Sequence, residues 1–324
     1  MRANLTNDRM RQNRPVTGER GLSKGYVALF ATIAIWSLPS LFQFYLNRWY
    51  DPWAQNFYRY AVACLAIAPF VLVRRRLSKI NLQAIAICLP ACLPNVVHQI
   101  GQVVALFYVG PGVYAIFGRT SVIFTALLAL LFFPEERYVV RQWRFQLGTV
   151  LGLIGAFGVI WFQHGPAERH IGLSGVGICF TATFCWALYS VLIKRPSAKL
   201  GPITSFGIVS VITSTLLLPL MIAFGKIDAP RQAGIQVNLV LIVSAVLCIT
   251  LAHVLYYVAI RQIGVALSQT LQLLCPVGAL LLSAWIFHER LLPIQLMSSV
   301  VLLAGAFLAM RVKPVETVET AENL

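Results

Sequence analysis

Charge is scarce in this chain, and negative charge is scarcest. Asp, Glu, Lys and Arg make up 11% of its 324 residues, against 58% that are hydrophobic. A soluble domain carries about 25% charged residues, so a water-soluble fold of this length would lack the charged coat its core requires. Eleven carboxylates face 26 basic residues, for a net charge of +15. None of the eleven falls deep inside an apolar run. No buried acid is therefore available to hold a cation and exchange it for protons, which disfavours a cationic drug as substrate. Zinc-type cysteine spacing is also missing. Cys64, Cys88, Cys92, Cys179, Cys185, Cys248 and Cys275 all lie in apolar runs, without histidine partners and away from loops. They read as small buried side chains, and no metal or cofactor is expected. Strands of alternating polarity are absent, which excludes a membrane barrel. The basic excess does not imply nucleic-acid binding, because it sits in short clusters between apolar runs rather than on one face.

What the sequence does have is ten long apolar runs, each near the ~20 residues a helix needs to cross a bilayer. They are Tyr26–Leu46, Trp53–Val73, Ala84–Phe107, Val113–Phe133, Phe145–Phe162, Leu173–Ile193, Ile203–Phe224, Asn238–Ile260, Ala266–Phe287 and Ile294–Met310. The class expected is an all-α membrane protein with ten transmembrane helices, solvated by the lipid bilayer. Met1 to Ser23 is polar and arginine-rich and reads as a disordered tail rather than a cleaved signal. The acidic Val315 to Leu324 reads as a second tail. With the N-terminus cytoplasmic, 19 Lys/Arg fall in inside segments and five outside, while Arg59 and Arg119 lie within spans. That bias predicts both termini cytoplasmic, which requires an even number of spans.

Two stretches of the chain are alike. Gly112-Val113-Tyr114 runs on to Phe133-Pro134-Glu135-Glu136-Arg137 and then Gln142, while Gly264-Val265-Ala266 runs on to Ile286-Phe287-His288-Glu289-Arg290 and then Gln295. Gly155-Ala156-Phe157 follows the first and Gly305-Ala306-Phe307 the second; upstream, Trp36 with Ser40 matches Trp186 with Ser190. The chain is therefore two copies of a five-helix unit, and because five is odd the copies face opposite ways. Inverted repeats of this kind hold substrate near the midplane between the halves and supply alternating access. Two five-helix repeats, each with a fourth helix ending in Glu and a glycine-bearing fifth helix, resemble paired EamA domains of the drug/metabolite transporter superfamily. The resemblance spans roughly Gly25 to Met310. It implies a ten-helix basket in a bacterial inner membrane that moves small metabolites, amino acids or drugs, usually outward. The expected organisation is a cytoplasmic tail at 1–24, repeats at 25–163 and 173–311, and a cytoplasmic tail at 312–324.

Polar groups at membrane depth are costly and mark candidate sites. Arg119 lies in the fourth run with no acid near it in sequence. It either bonds backbone carbonyls and fixes packing, or holds a substrate carboxylate or phosphate in its guanidinium fork. Its repeat counterpart is Gln272. Arg59, near the outer end of the second run, is expected to snorkel to the interface. Asn95, His98, Gln99 and Gln102 share one face of the third helix, after Pro90 and Pro94, and are expected to face an interior cavity. His253 is followed one turn on by Tyr256 and Tyr257, Gln269 and Gln272 share a face ahead of Pro276, and Trp36 and Trp186 occupy matched positions. The candidate substrate-binding set is Arg119, Asn95, His98, Gln102, Trp36, Trp186, His253, Tyr257, Gln269 and Gln272. If transport is proton-coupled, His98 and His253 are the groups that titrate. Gly148, Gly152, Gly155 and Gly158 form a small-residue face for close helix approach, either within the fold of a monomer or in a weak dimer.

The expected function is a secondary transporter that exports a small zwitterionic, anionic or uncharged metabolite, such as an amino acid, by alternating access. The alternatives are an importer or facilitator of sugars or similar solutes, and a multidrug efflux pump. An enzyme would need a nucleophile–base pair or a carboxylate–histidine cluster at the membrane surface. The outer-loop set of His164, Glu168 and His170 is too small and exposed to supply one.

Overall fold

The protein is described here by a computed structural model covering residues 19–109, 114, 117–161, 173–287 and 292–312. His164, Glu168, His170, Glu289, Arg290, Gly112, Val113 and residues 1–18 and 313–324 of the two tails lie outside the described residues, as does the side chain of Ser40, while Glu19 to Lys24, expected as part of the first tail, are helical. Among the described residues every regular element is helical. The ten main helices are α1 (Glu19–Trp36, continued by Pro39–Leu46), α2 (Pro52–Val71), α3 (Leu82–Tyr108), α4 (Ser121–Phe132) and α5 (Trp143–Trp161), then α6 (Leu173–Leu192), α7 (Pro202–Phe224), α8 (Ala229–Ser244, extended through a π-helical turn at Ala245–Leu251 to Ala252–Ile263), α9 (Val265–Leu271, a 3₁₀ turn at Gln272–Leu274, then Cys275–Phe287) and α10 (Pro293–Met310).

Eight of these are long and apolar enough to cross a membrane, and Phe117–Phe132 is a shorter apolar helix ending with α4. The tenth, α2, has 20 residues but carries Gln55, Asn56 and Arg59 on its buried face, which lowers its hydropathy. Several boundaries differ from the sequence reading, and α1 already begins at Glu19, ahead of Tyr26. Pro39 interrupts α1, because proline has no N–H to donate. α8 begins at Ala229 rather than Asn238, with Gly234 in a left-handed conformation at φ 79° breaking its early turns. By contrast, α3 continues through Pro90 and Pro94.

The helices pair with the symmetry that a duplicated unit demands. α5 packs on α10, α2 on α7 and α4 on α9, each joining equivalent helices of the two repeats. The pairs α3–α6, α4–α6 and α3–α7 recur as α8–α1, α9–α1 and α8–α2. Shifting every number by five converts each contact into itself or into another on this set. With five crossings per unit, the axis relating the units lies in the membrane plane.

The ends of the helices sort into two faces. On one, Asp51 caps α2 by accepting from the Trp53 and Ala54 amides at 3.0 Å, and its second oxygen accepts the Lys226 amide at 2.8 Å. This joins the α1–α2 and α7–α8 connections. On the other face, Gly25 of α1 lies against Gln262 and Ile263 at the end of α8. Beside them the buried Glu136 accepts from Lys194 Nζ at 2.6 Å and from the Val265 amide at 2.9 Å. Gly264, at φ 88°, turns the chain tightly there, and a Cβ on it would stand 2.7 Å from the Glu136 carboxylate. Arg144 Nη1 donates to the Arg311 carbonyl at 3.3 Å, bringing the end of α10 to the same face. The first described residues and the last therefore lie on one side.

The α5 glycines serve packing inside the fold. Gly148, Gly152 and Gly155 are buried, and a Cβ on Gly148 would lie 2.7 Å from the Gly305 carbonyl of α10. A Cβ on Gly155 would lie 2.7 Å from Leu302 Cα. Overpacking a seam of this kind costs about 1–3 kcal/mol. Gly155→Leu is expected to lower the melting temperature of the detergent-solubilised protein by several degrees, whereas Gly177→Ala, with nothing within 4 Å of its added Cβ, leaves it unchanged. Equal melting temperatures for the two variants would contradict this account of the α5–α10 seam.

Candidate functional site

The π-helical turn in α8 organises the centre of the molecule. A π turn inserts an extra residue and displaces carbonyls from the regular i→i−4 pattern. Two side chains use the carbonyls of this turn: Trp36 Nε1 donates to the Cys248 carbonyl at 3.0 Å, and His253 Nδ1 donates to that of Ile249 at 2.8 Å. A carbonyl only accepts, so Nδ1 of His253 carries the proton and Nε2 of the neutral ring is an acceptor. That Nε2 is buried and has no partner.

Around His253 the aromatic residues of both repeats meet. Trp36 and Trp186, the matched tryptophans, sit edge-to-face with ring centroids 5.3 Å apart. Trp36 approaches His253 at 5.3 Å and Tyr256 at 5.0 Å, while Trp186 stacks on Tyr256 at 5.8 Å. His98 tilts against Trp186 at 4.9 Å, with its Nδ1 donating to the Ala182 carbonyl at 2.9 Å. Phe206 stacks on the far side of His253 at 5.5 Å. Trp36 and Trp186 are half-buried, and the histidines and Tyr256 are buried.

Much of the remaining polar set is already paired. Asn95 Nδ2 donates to Tyr60 Oη and Thr213 Oγ1, both at 3.0 Å, which ties α3 to α2 and α7. Gln269 Nε2 donates to Ser190 Oγ and Tyr256 Oη, both at 2.8 Å. Tyr257 pairs with Tyr189 through their hydroxyls. Gln99 is buried, its carbonyl accepting from Asn56 Nδ2 at 3.0 Å, and Gln102 is half-buried.

Arg119 and Gln272, equivalent positions of the two repeats, touch each other. Arg119 Nη1 donates to the Gln272 carbonyl at 3.0 Å, so the backbone-bonding role foreseen for this arginine is present. Its Nε is nevertheless buried without an acceptor. Tyr256 lies beside Gln272 and connects this pair to the aromatic group.

Of the ten candidates, the structure brings Trp36, Trp186, His98 and His253 directly together, joins Gln269 and Gln272 to them through Tyr256, and adds Arg119 through Gln272. Asn95 is hydrogen-bonded to Tyr60 and Thr213 and Tyr257 to Tyr189, and Gln102 is half-buried on α3. Sequence reasoning missed Tyr189 and Phe206, noted Ser190 only as a repeat match for Ser40, and took Tyr257 but not Tyr256 into the candidate set. The spacing 186, 189, 190 against 253, 256, 257 was the available signal, since residues three and four apart share a helix face. The expectation for Arg59 is overturned. It does not snorkel: it is 2% exposed, on the face of α2 that carries Asn56, Tyr60 and Ala63, turned toward α8 and away from lipid.

A duplicated helical basket with polar and aromatic residues of both halves converging at its middle defines a membrane transporter. The chain belongs to the EamA-like transporter family, which matches residues 23–161 and 173–311, and through it to the drug/metabolite transporter superfamily. It is 26% identical over 214 residues to the threonine/homoserine exporter RhtA of Escherichia coli, covering 64% of this chain and 67% of that one. It is 23% identical over 200 residues to an uncharacterised transporter of Haemophilus influenzae, covering 61% of this chain and 66%, just under two thirds, of that protein. A solved crystal structure superposes with TM-score 0.74 over 89% of this chain and 97% of its own, at 16% identity, a likeness of fold.

The hydroxyl pair of Tyr189 and Tyr257 joins α6 to α8 behind the site. Tyr189→Phe and Tyr257→Phe are each expected to lower thermal stability, and the double variant to lower it little further, because residues in one hydrogen bond couple by about 0.5–3 kcal/mol. Strictly additive losses would show that the two hydroxyls act independently.

Proposed function

We propose that this transporter exports a small zwitterionic, anionic or uncharged metabolite, with an amino acid as the leading class, by alternating access at the seam between its repeats. The carrying observation is the orphaned donor Arg119 Nε, beside Gln272 at the equivalent position of the other repeat. A buried donor without an acceptor costs about 1–3 kcal/mol, and a carboxylate in the fork of Arg119 removes that cost. The aromatic walls of Trp36, Trp186 and Tyr256 suit the apolar part of a solute, and His253 Nε2 suits one of its donors. The exporter named among the relatives favours outward movement. The basic inside segments favour a bacterial inner membrane with the tails at 1–24 and 312–324 cytoplasmic. Proton coupling, where present, falls to His98 and His253.

Counterflow in proteoliposomes against amino acids, organic acids, sugars and cationic dyes tests this reading. Arg119→Ala and His98→Ala should abolish flux of the transported solute, and His164→Ala and His170→Ala should leave it intact. Movement of cationic dyes alone would overturn the substrate class. A rate that stays flat between about pH 5 and 8 would remove both histidines as proton carriers.

A further inference from the structure

α2 and α7 lie side by side, one from each repeat, and their seam is built differently at its two ends. At the end marked by Asp51 it is closed. Gly225 lies against Trp53 and Ala54, the Trp53 and Phe224 rings stand 5.4 Å apart, and Asp51 accepts the Lys226 amide. The axis relating the repeats maps that end onto the other, where α2 finishes and α7 begins. There the seam opens. Ile67, Val71, Gly207 and Ile208 line a groove of about 280 Å³. Leu72, Ile85 and Val211, which also line it, are exposed on the outer surface of the bundle, so the groove opens toward lipid. Pockets that hold soluble ligands place a few polar groups among apolar walls. This one offers no polar side chain beyond the Cys64 thiol.

Charge of one sign gathers at the open end. Arg74, Arg75, Arg76 and Lys79 follow α2 directly, and Ile80, next in the chain, lines the groove. Arg76 Nη1 donates to the Phe70 carbonyl at 2.7 Å, which keeps its guanidinium close to Val71 and Leu72. A guanidinium has five donors, and this bond uses one. The short helix Lys194–Leu200, packed on α3 and α7, brings the exposed Lys199 to the same end. Neither connecting segment, 72–83 or 194–202, contains a carboxylate. A basic cluster directly after a membrane helix attracts anionic lipid head groups, and here it adjoins a slot with the chemistry of an acyl chain.

We infer that the open end of the α2–α7 seam is a binding site for an anionic phospholipid, with one acyl chain in the groove and the phosphate against Arg76 and Lys79. A zwitterionic head group would bring a cation to a rim that has no carboxylate to receive it, so the site selects a net negative charge. The bound lipid touches both repeats at once, because α2 belongs to one and α7 to the other. This site is separate from the aromatic centre and does not depend on which solute is carried there.

The test is native mass spectrometry of the purified full-length protein, delipidated and titrated with phosphatidylglycerol or phosphatidylcholine of identical chains. Wild type should bind the first phosphatidylglycerol with a Kd about tenfold or more below that for phosphatidylcholine. Ala68→Trp, which fills the groove, should raise the Kd for both lipids about fivefold or more. Gly177→Phe, in the separate groove between α3 and α6, should leave both unchanged. Arg76→Gln with Lys79→Gln should narrow the preference between the lipids about fivefold or more while leaving phosphatidylcholine binding as it was. Equal affinity of wild type for the two lipids, or an unchanged phosphatidylglycerol Kd in Ala68→Trp, overturns the proposal. Should Ala68→Trp fail to fold, the double variant decides, and a preference that survives it intact overturns the site.

Discussion

A polar group between helices in a bilayer has no water to bond, so it must be satisfied by another part of the chain or by something the chain carries. The arrangement of this transporter follows from that constraint. Asn95 with Tyr60 and Thr213, Gln269 with Ser190 and Tyr256, Tyr189 with Tyr257, and Trp36 with the Cys248 carbonyl are closed sets. They hold α1, α2, α3, α6, α7, α8 and α9 together without needing a ligand. What remains open is small. Among the described residues, Gln55 Oε1, Arg59 Nε, Arg119 Nε, Thr125 Oγ1, Thr183 Oγ1, His253 Nε2 and Gln272 Nε2 are buried without partners, and His253 lies within the aromatic centre. Satisfied polarity builds the basket.

The same constraint explains where glycine and backbone irregularity occur. α5 and α10 associate by close approach, with Ser298 of α10 against Gly158 of α5. Gly148 and Gly155 permit it by leaving room for the backbone of α10. At the site the opposite device is used. α8 is distorted into a π turn and its carbonyls become acceptors for Trp36 and His253. A regular helix there would keep those carbonyls in its own ladder.

The fold was largely legible in the sequence because hydropathy reports depth, and ten runs of the right length with a duplicated Glu-Arg ending admit few arrangements. Hydropathy does not report which way a residue faces. Arg59 was assigned to the interface from its position along α2, although its spacing from Asn56, Tyr60 and Ala63 put it on the buried face. Tyr256 and Tyr257 are adjacent and alike in composition, and only tertiary packing gives Tyr256 to the tryptophans. The π turn has no compositional signature: Ala245-Val246-Leu247-Cys248-Ile249-Thr250-Leu251 reads as ordinary helix. Glu136 was counted as a loop acid because it follows the apolar run. It is buried because Lys194 and the start of α9 converge on it from the other repeat.

Charge then limits what the centre can carry. Two unit charges about 4 Å apart interact by about 4 kcal/mol at the effective dielectric of a partly buried pair. A cation brought beside Arg59 or Arg119 meets a repulsion of that order, and among the described residues neither arginine is ion-paired with a carboxylate. An acidic group gains a similar amount and also fills orphaned donors. The aromatic walls contribute less to discrimination, since apolar contact favours cationic and anionic solutes of similar shape alike. On the proposed reading, the arginines would favour an acidic group over a cation, and Trp36, Trp186 and Tyr256 would meet the apolar part of the solute.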